Sequence, residues 1–219
     1  FLTFFVMSLV TNILNSLIPD IISSYSVTLA AAAFLSFAFF IAYGVMSIPA
    51  GFWVERFTEK PVMIVAFVAA TAGALSFALH PAYSVALPSF FVIGAGMATL
   101  QVAINPLLRV AGGEEHFAFN SALAQLIFGS ASFASPRIYS YLVGNLNKPG
   151  SEGNPLLVTL ARLTPPALPW ASIYWIFAVL TVLMIVLLGF LRFPKVEHTA
   201  DESAGSLQMY TSLLRRPMV

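Results

Sequence analysis

Long apolar runs interrupted at intervals by short polar clusters organise the chain from Phe1 onward. A hydrocarbon core about 30 Å thick takes roughly 20 apolar residues per helical span. That ruler places six spans at about residues 1–22, 28–54, 61–80, 83–109, 117–144 and 170–191. Polar clusters mark the boundaries: "ERFTEK" at 55–60, "HPAY" at 80–83 and "AGGEEH" at 111–116. Residues 145–170 carry too many Gly and Pro residues for one continuous helix, and "NPLLVTLARL" at their centre predicts a short interfacial helix. The expected fold is all-α and membrane-integral, with six transmembrane helices arranged as a 3+3 inverted repeat.

Polarity is distributed unevenly among the spans. The third and sixth hold little beyond Thr71, Ser76, Ser172 and Thr181, whereas the first carries Asn12, Asn15 and Ser16, the fourth Gln101 and Asn105, and the fifth Asn120 and Gln125. Residues three or four apart share a helix face, so Asn12 with Asn15 and Gln101 with Asn105 form two amide stripes. Spans one and four are equivalent members of successive three-helix units, and Pro19 and Pro106 follow the two stripes. An inverted repeat places binding groups this way, near the midplane where broken helices meet. Amides also join membrane helices by hydrogen bonds, but their confinement to three spans favours a cavity. The candidate substrate-binding set is Asn12, Asn15, Gln101, Asn105 and Gln125.

Composition narrows the function classes. The chain is 59% hydrophobic and only 9% charged, against about 25% charged in soluble domains, which identifies lipid as its solvent. A net charge of +1 offers no electrostatic footprint for nucleic acid. There is no cysteine, and His80, His116 and His198 are scattered, so neither a metal nor a cofactor is implied. The spans contain no carboxylate pair, nucleophile motif or phosphate loop, and an enzyme is not expected. "GAG" at 94–96 lies mid-span and reads as a site of close helix packing.

Loop charge sets the orientation. Arg56, Lys60, Arg109, Arg192, Lys195, Arg215 and Arg216 fall on one side, opposite Lys148 and Arg162. The positive-inside rule then predicts a multi-pass protein of the plasma (inner) membrane with both termini cytoplasmic. Arg137 is read as snorkelling to the opposite interface. Residues 1–191 form the expected bundle and 192–219 a cytoplasmic linker toward an absent second half; the start at Phe1 reads as trimmed rather than as a signal peptide.

The segment "GFWVERFTEK" (51–60) resembles the loop motif G-x-x-x-D-R-x-G-R-R of the major facilitator superfamily, with Glu55 for Asp and Thr58 for Gly. With "NILNSLIPD", "QVAINPLLRV", "ALAQLIFG" and "YWIFAVL", it makes the chain similar to the amino-terminal half of sugar transporters of the fucose–proton symporter family. The resemblance implies half of that fold and alternating-access transport of a small neutral, hexose-like sugar. It also implies the carboxy-terminal half of the same transporter and the lipid bilayer as partners, and Glu55, Arg56, Lys60 and Arg109 as gating charges. By motif, Asn15 stands at a family aspartate, Gln101 at a family glutamate, Gln125 at a sugar-contacting glutamine, and Phe128 at an asparagine. An amide does not titrate at physiological pH, so proton coupling by the family route is not expected. Facilitated diffusion, or coupling to another ion through the missing half, remains. The alternative of a different class is a non-transporting six-helix membrane module, or a half-transporter, that binds a partner.

Overall fold

In lipid every backbone polar group must be satisfied within the protein, which leaves the helix as the natural state of these apolar runs. The computed structural model describes residues 1–148, 153–191 and 193, and among these there is no strand. The expected linker 192–219 lies outside the described residues except for Phe193. The helices are α1 (Leu2–Asn12), α2 (Leu14–Tyr25), α3 (Leu29–Phe57), α4 (Glu59–Leu79), α5 (Tyr83–Gly112), α6 (Phe117–Asn145), α7 (Pro155–Leu163) and α8 (Ser172–Phe190). All but α7 contribute to six segments long and apolar enough to cross a membrane, with α1 and α2 together making the first. Helix starts carry the expected chemistry at two places. The Thr28 hydroxyl accepts from the Ala31 amide at 3.2 Å, and Asn154 accepts from Leu156 at 3.0 Å at the head of the predicted short helix α7.

The broken helices expected after the two amide stripes are corrected, since both prolines lie inside continuous helices. The first span is interrupted for a single residue at Ile13, which keeps right-handed helical angles (φ −68°, ψ −28°), and the Ser16 amide bonds the Ile13 carbonyl at 2.9 Å in a tighter i→i−3 turn. Pro19 also lacks the N–H that would bond the Asn15 carbonyl. α2 nevertheless continues through Pro19, and the fourth span is likewise unbroken at Pro106, where α5 is clasped between α3 and α4. A proline there removes one backbone bond without opening a helix held on both sides.

Three crossings bring the second three-span unit (α5, α6, α8) to start at the opposite end from the first (α1/α2, α3, α4), which makes the repeat inverted. Packing follows the repeat. The α3–α5 contact has its counterpart in α1–α6, and α4–α8 is its own counterpart. The last contains a buried hydrogen bond from Thr71 to Thr181 at 2.7 Å. The α4–α5 seam is tight, but its counterpart between α8 and α1 is looser, and an open cavity of about 290 Å³ lies beside it, lined by Phe4, Met184 and Leu188 together with Ile104 and Leu107 of α5.

Close approach of α5 to its neighbours depends on "GAG". A Cβ on Gly94 would lie 2.3 Å from the Phe39 carbonyl oxygen of α3, and one on Gly96 2.7 Å from that of Ala66 in α4. Both are shorter than van der Waals contact, so only a residue without a side chain fits. At the end of the bundle where α2 finishes, aromatic rings fill the core: Trp170 stacks on Phe77 at 5.7 Å and its indole N–H donates to Ser24 at 2.9 Å.

Candidate functional site

Four of the five predicted amides lie on exposed surface. Asn15, Gln101, Asn105 and Gln125 are exposed, while Asn12 is half-buried. The flanking positions explain the orientation along α5: Leu100, Ala103 and Ile104 are buried, so the opposite stripe containing Gln101 and Asn105 faces outward. These residues belong to α2, α5 and α6, whereas α4 and α8 turn apolar surface outward through Val65, Val68, Val179, Leu183 and Val186. α5 and α6 also expose apolar side chains, among them Phe91, Leu126 and Phe133, so the amides lie among apolar neighbours there, whereas these outward positions of α4 and α8 are apolar alone. With a rise of 1.5 Å per residue, Asn12 and Asn15 lie within about 2–3 Å of the middle of their span, and Gln101 about 5 Å from the middle of α5. Asn105 and Gln125 lie about 9–11 Å from the middle, both toward the end that carries the α3–α4 turn.

The structure separates Asn12 from the others. Its amide donates to the Ser8 carbonyl and hydroxyl, each at 3.0 Å, and the Ser8 hydroxyl donates to the Phe128 carbonyl of α6. Ser135 likewise donates to the Leu9 carbonyl at 2.9 Å. Asn12 thus belongs to the polar seam joining α1 to α6.

Two polar pairs on this side of the bundle were missed from sequence. Tyr43, at the centre of α3, donates its hydroxyl to the Gln101 side-chain oxygen. Tyr139 of α6 donates to the Asp20 carboxylate of α2, giving that intramembrane acid a partner. Counting amides alone overlooked the tyrosine hydroxyls, although Tyr43 lies mid-span beside Gly44, a position where a polar side chain is conspicuous.

The four predicted gating charges also differ in their surroundings. Lys60 donates to the carbonyls of Gly189 at 3.0 Å and Leu191 at 2.6 Å, so its ammonium sits at the C-terminal end of α8. That end carries orphan carbonyls and partial negative charge, which makes Lys60 a helix cap. Arg109 lies 5.0 Å over the Phe117 ring, tying the end of α5 to the start of α6, and Arg56 lies 5.4 Å over Phe57. Glu55 is exposed at the same end. Between them is Thr58, the single residue separating α3 from α4, held at φ 67° and ψ 169°.

A family model described as Major Facilitator Superfamily matches residues 1–219. The glucose/galactose transporter of Brucella abortus biovar 1 (strain 9-941) is 25% identical over 220 residues, covering 97% of this chain and 51% of that protein. The L-fucose-proton symporter of Escherichia coli (strain K12) is 25% identical over 232 residues, with 97% and 51% covered. The putative glucose/galactose transporter of Helicobacter pylori (strain ATCC 700392 / 26695) is 27% identical, with 95% and 50% covered. The chain spans about half the length of these curated relatives. Among solved structures, the transporter FucP in its outward conformation superposes with a TM-score of 0.69 at 23% identity, over 98% of this chain and 54% of that one. The likeness to that structure establishes the fold.

Proposed function

This chain belongs to the Major Facilitator Superfamily, and from that premise we propose that it forms the amino-terminal six-helix half of a sugar transporter working by alternating access. Its substrate is a small neutral, hexose-like sugar held between the amide-bearing face and a carboxy-terminal half. The observation that carries the reading is the placement of Asn15, Gln101, Asn105 and Gln125 on exposed surface of α2, α5 and α6, while the outward surfaces of α4 and α8 are apolar. Amides both donate and accept, which suits sugar hydroxyls, and exposed amides in a lipid-embedded protein require a partner other than lipid.

The protein is a multi-pass one, and in this reading it lies in the plasma (inner) membrane with both termini cytoplasmic. The end carrying Arg56, Lys60 and Arg109 faces the cytoplasm. Glu55, Arg56 and Arg109 at that end hold the cytoplasmic gate against the second half, and Lys60 supports it indirectly by capping α8. Sugar moves without proton coupling through positions 15 and 101, because neither Asn15 nor Gln101 has a titratable proton. The test is uptake of labelled hexoses into vesicles carrying the full-length protein, wild type against Asn15→Ala and Gln101→Ala. Each substitution is expected to lower uptake several-fold; if both variants carry every sugar as well as wild type, the assignment of the site is wrong.

A further inference from the structure

The Gln101 carboxamide has two chemically different ends, and α3 decides which one is available. Its oxygen accepts the Tyr43 hydroxyl, so the bond between α3 and α5 consumes acceptor capacity and takes no part of the donor capacity of the NH₂ group. Tyr43 is itself fixed. Its ring rests against Phe39, one turn away on α3, with centroids 6.0 Å apart. The Phe39 backbone is in turn the surface against which Gly94 brings α5 into contact. Gly94 lies seven residues, two helical turns, before Gln101 on the same helix. The glycine contact sets the spacing of α3 and α5, and the tyrosine uses that spacing to orient an amide which would otherwise rotate freely on an exposed, long side chain.

We propose that Tyr43 is a positioning residue that holds Gln101 with its amide nitrogen turned to the substrate, so that this part of the site donates hydrogen bonds and selects sugars presenting an accepting hydroxyl there. The inference rests on the sugar-transport reading above and deepens it. A site built to bond one hydroxyl discriminates strongly against an analogue lacking it, because its own polar group is then left unpaired.

The experiment is a double-mutant cycle on hexose uptake by proteoliposomes of the full-length protein: wild type, Tyr43→Phe, Gln101→Ala and the double variant. Tyr43→Phe removes only the hydroxyl. It is expected to raise KM about 3- to 10-fold with little change in maximal rate, the scale of one neutral hydrogen bond. It should also flatten the preference of wild type among monodeoxy-hexoses. In the Gln101→Ala background the same change is expected to do nothing further. An unchanged KM and selectivity in Tyr43→Phe, or an undiminished effect of Tyr43→Phe on top of Gln101→Ala, overturns the proposal. A second readout needs no sugar: in protein labelled with ¹⁵N-glutamine, the side-chain amide resonance of Gln101 shifts in Tyr43→Phe while that of Gln125 stays. Should wild-type vesicles take up no hexose, the transport reading fails by itself. The amide shift then decides this inference, its presence supporting the positioning bond and its absence refuting it.

Discussion

Replacing Thr58 by glycine is expected to make the protein more stable. Thr58 closes α3, with its amide bonded to the Val54 carbonyl at 2.9 Å, and it immediately precedes α4. Its φ of 67° and ψ of 169° lie in a region populated almost only by glycine. A β-branched residue there carries about 1–3 kcal/mol of backbone strain. Glycine relieves the strain but loosens the unfolded chain by about 0.5–1 kcal/mol. The Thr58 side chain is exposed and makes no cap hydrogen bond to α4, so little else is lost. The net gain is up to about 2.5 kcal/mol, with a midpoint of about 1.2 kcal/mol, or roughly 2–5 °C in melting temperature at about 2–4 °C per kcal/mol. Thermal denaturation of the detergent-purified protein measures it, with Thr58→Ala as the control. Alanine removes the hydroxyl and methyl but keeps the Cβ, so it should not share the gain. If Thr58→Gly melts no higher than Thr58→Ala, the backbone at this turn is not strained and the reasoning fails. The position is also where the resembling loop motif has glycine, and the backbone conformation supplies the physical reason.

Gly94→Ala is expected to destabilise, since its Cβ would meet the Phe39 carbonyl oxygen at 2.3 Å and force α5 from α3. Overpacking of this kind costs about 1–3 kcal/mol, partly offset by the better helix propensity of alanine. Gly129→Ala, inside α6 with nothing within 4 Å of the added carbon, keeps only the propensity gain and should melt at or above wild type, and equal melting temperatures for the two variants would refute the close approach. The combined change Asn15→Asp with Gln101→Glu restores a titratable group to each position. Sugar-driven acidification of the lumen, followed with a trapped pH dye, is expected to be absent in wild type and to appear in this variant. Acidification already present in wild type would place the proton carrier at another residue.

Much of the architecture was legible because membrane burial is a one-dimensional constraint. Spans drawn from apolar length alone, such as 83–109 and 117–144, agree with the helices Tyr83–Gly112 and Phe117–Asn145 to within a few residues. The small residues of "GAG" signalled close packing, and the structure supplies their partners, Phe39 and Ala66. Continuity was harder to read. Pro19 in α2 and Pro106 in α5 both suggested broken helices, yet each lies inside a continuous helix, and the interruption of the first span falls at Ile13, where no proline marks it. The site was legible as residue types and illegible as partnerships. Asn12 and Asn15 share a stripe, but Asn12 is engaged with Ser8 while Asn15 is exposed.

Sequence by itself determined that this chain is a six-span helical membrane protein with its intramembrane amide side chains gathered on three spans, since apolar length and composition act residue by residue. Only the tertiary structure decided which of those side chains are tied to a neighbouring helix and which are exposed. Lys60 became a cap for α8 and Tyr43 the partner of Gln101 through contacts 129 and 58 residues apart in sequence. Such contacts depend on how helices approach one another, and that is set by shape at positions like Gly94, where the deciding feature is the absence of a side chain.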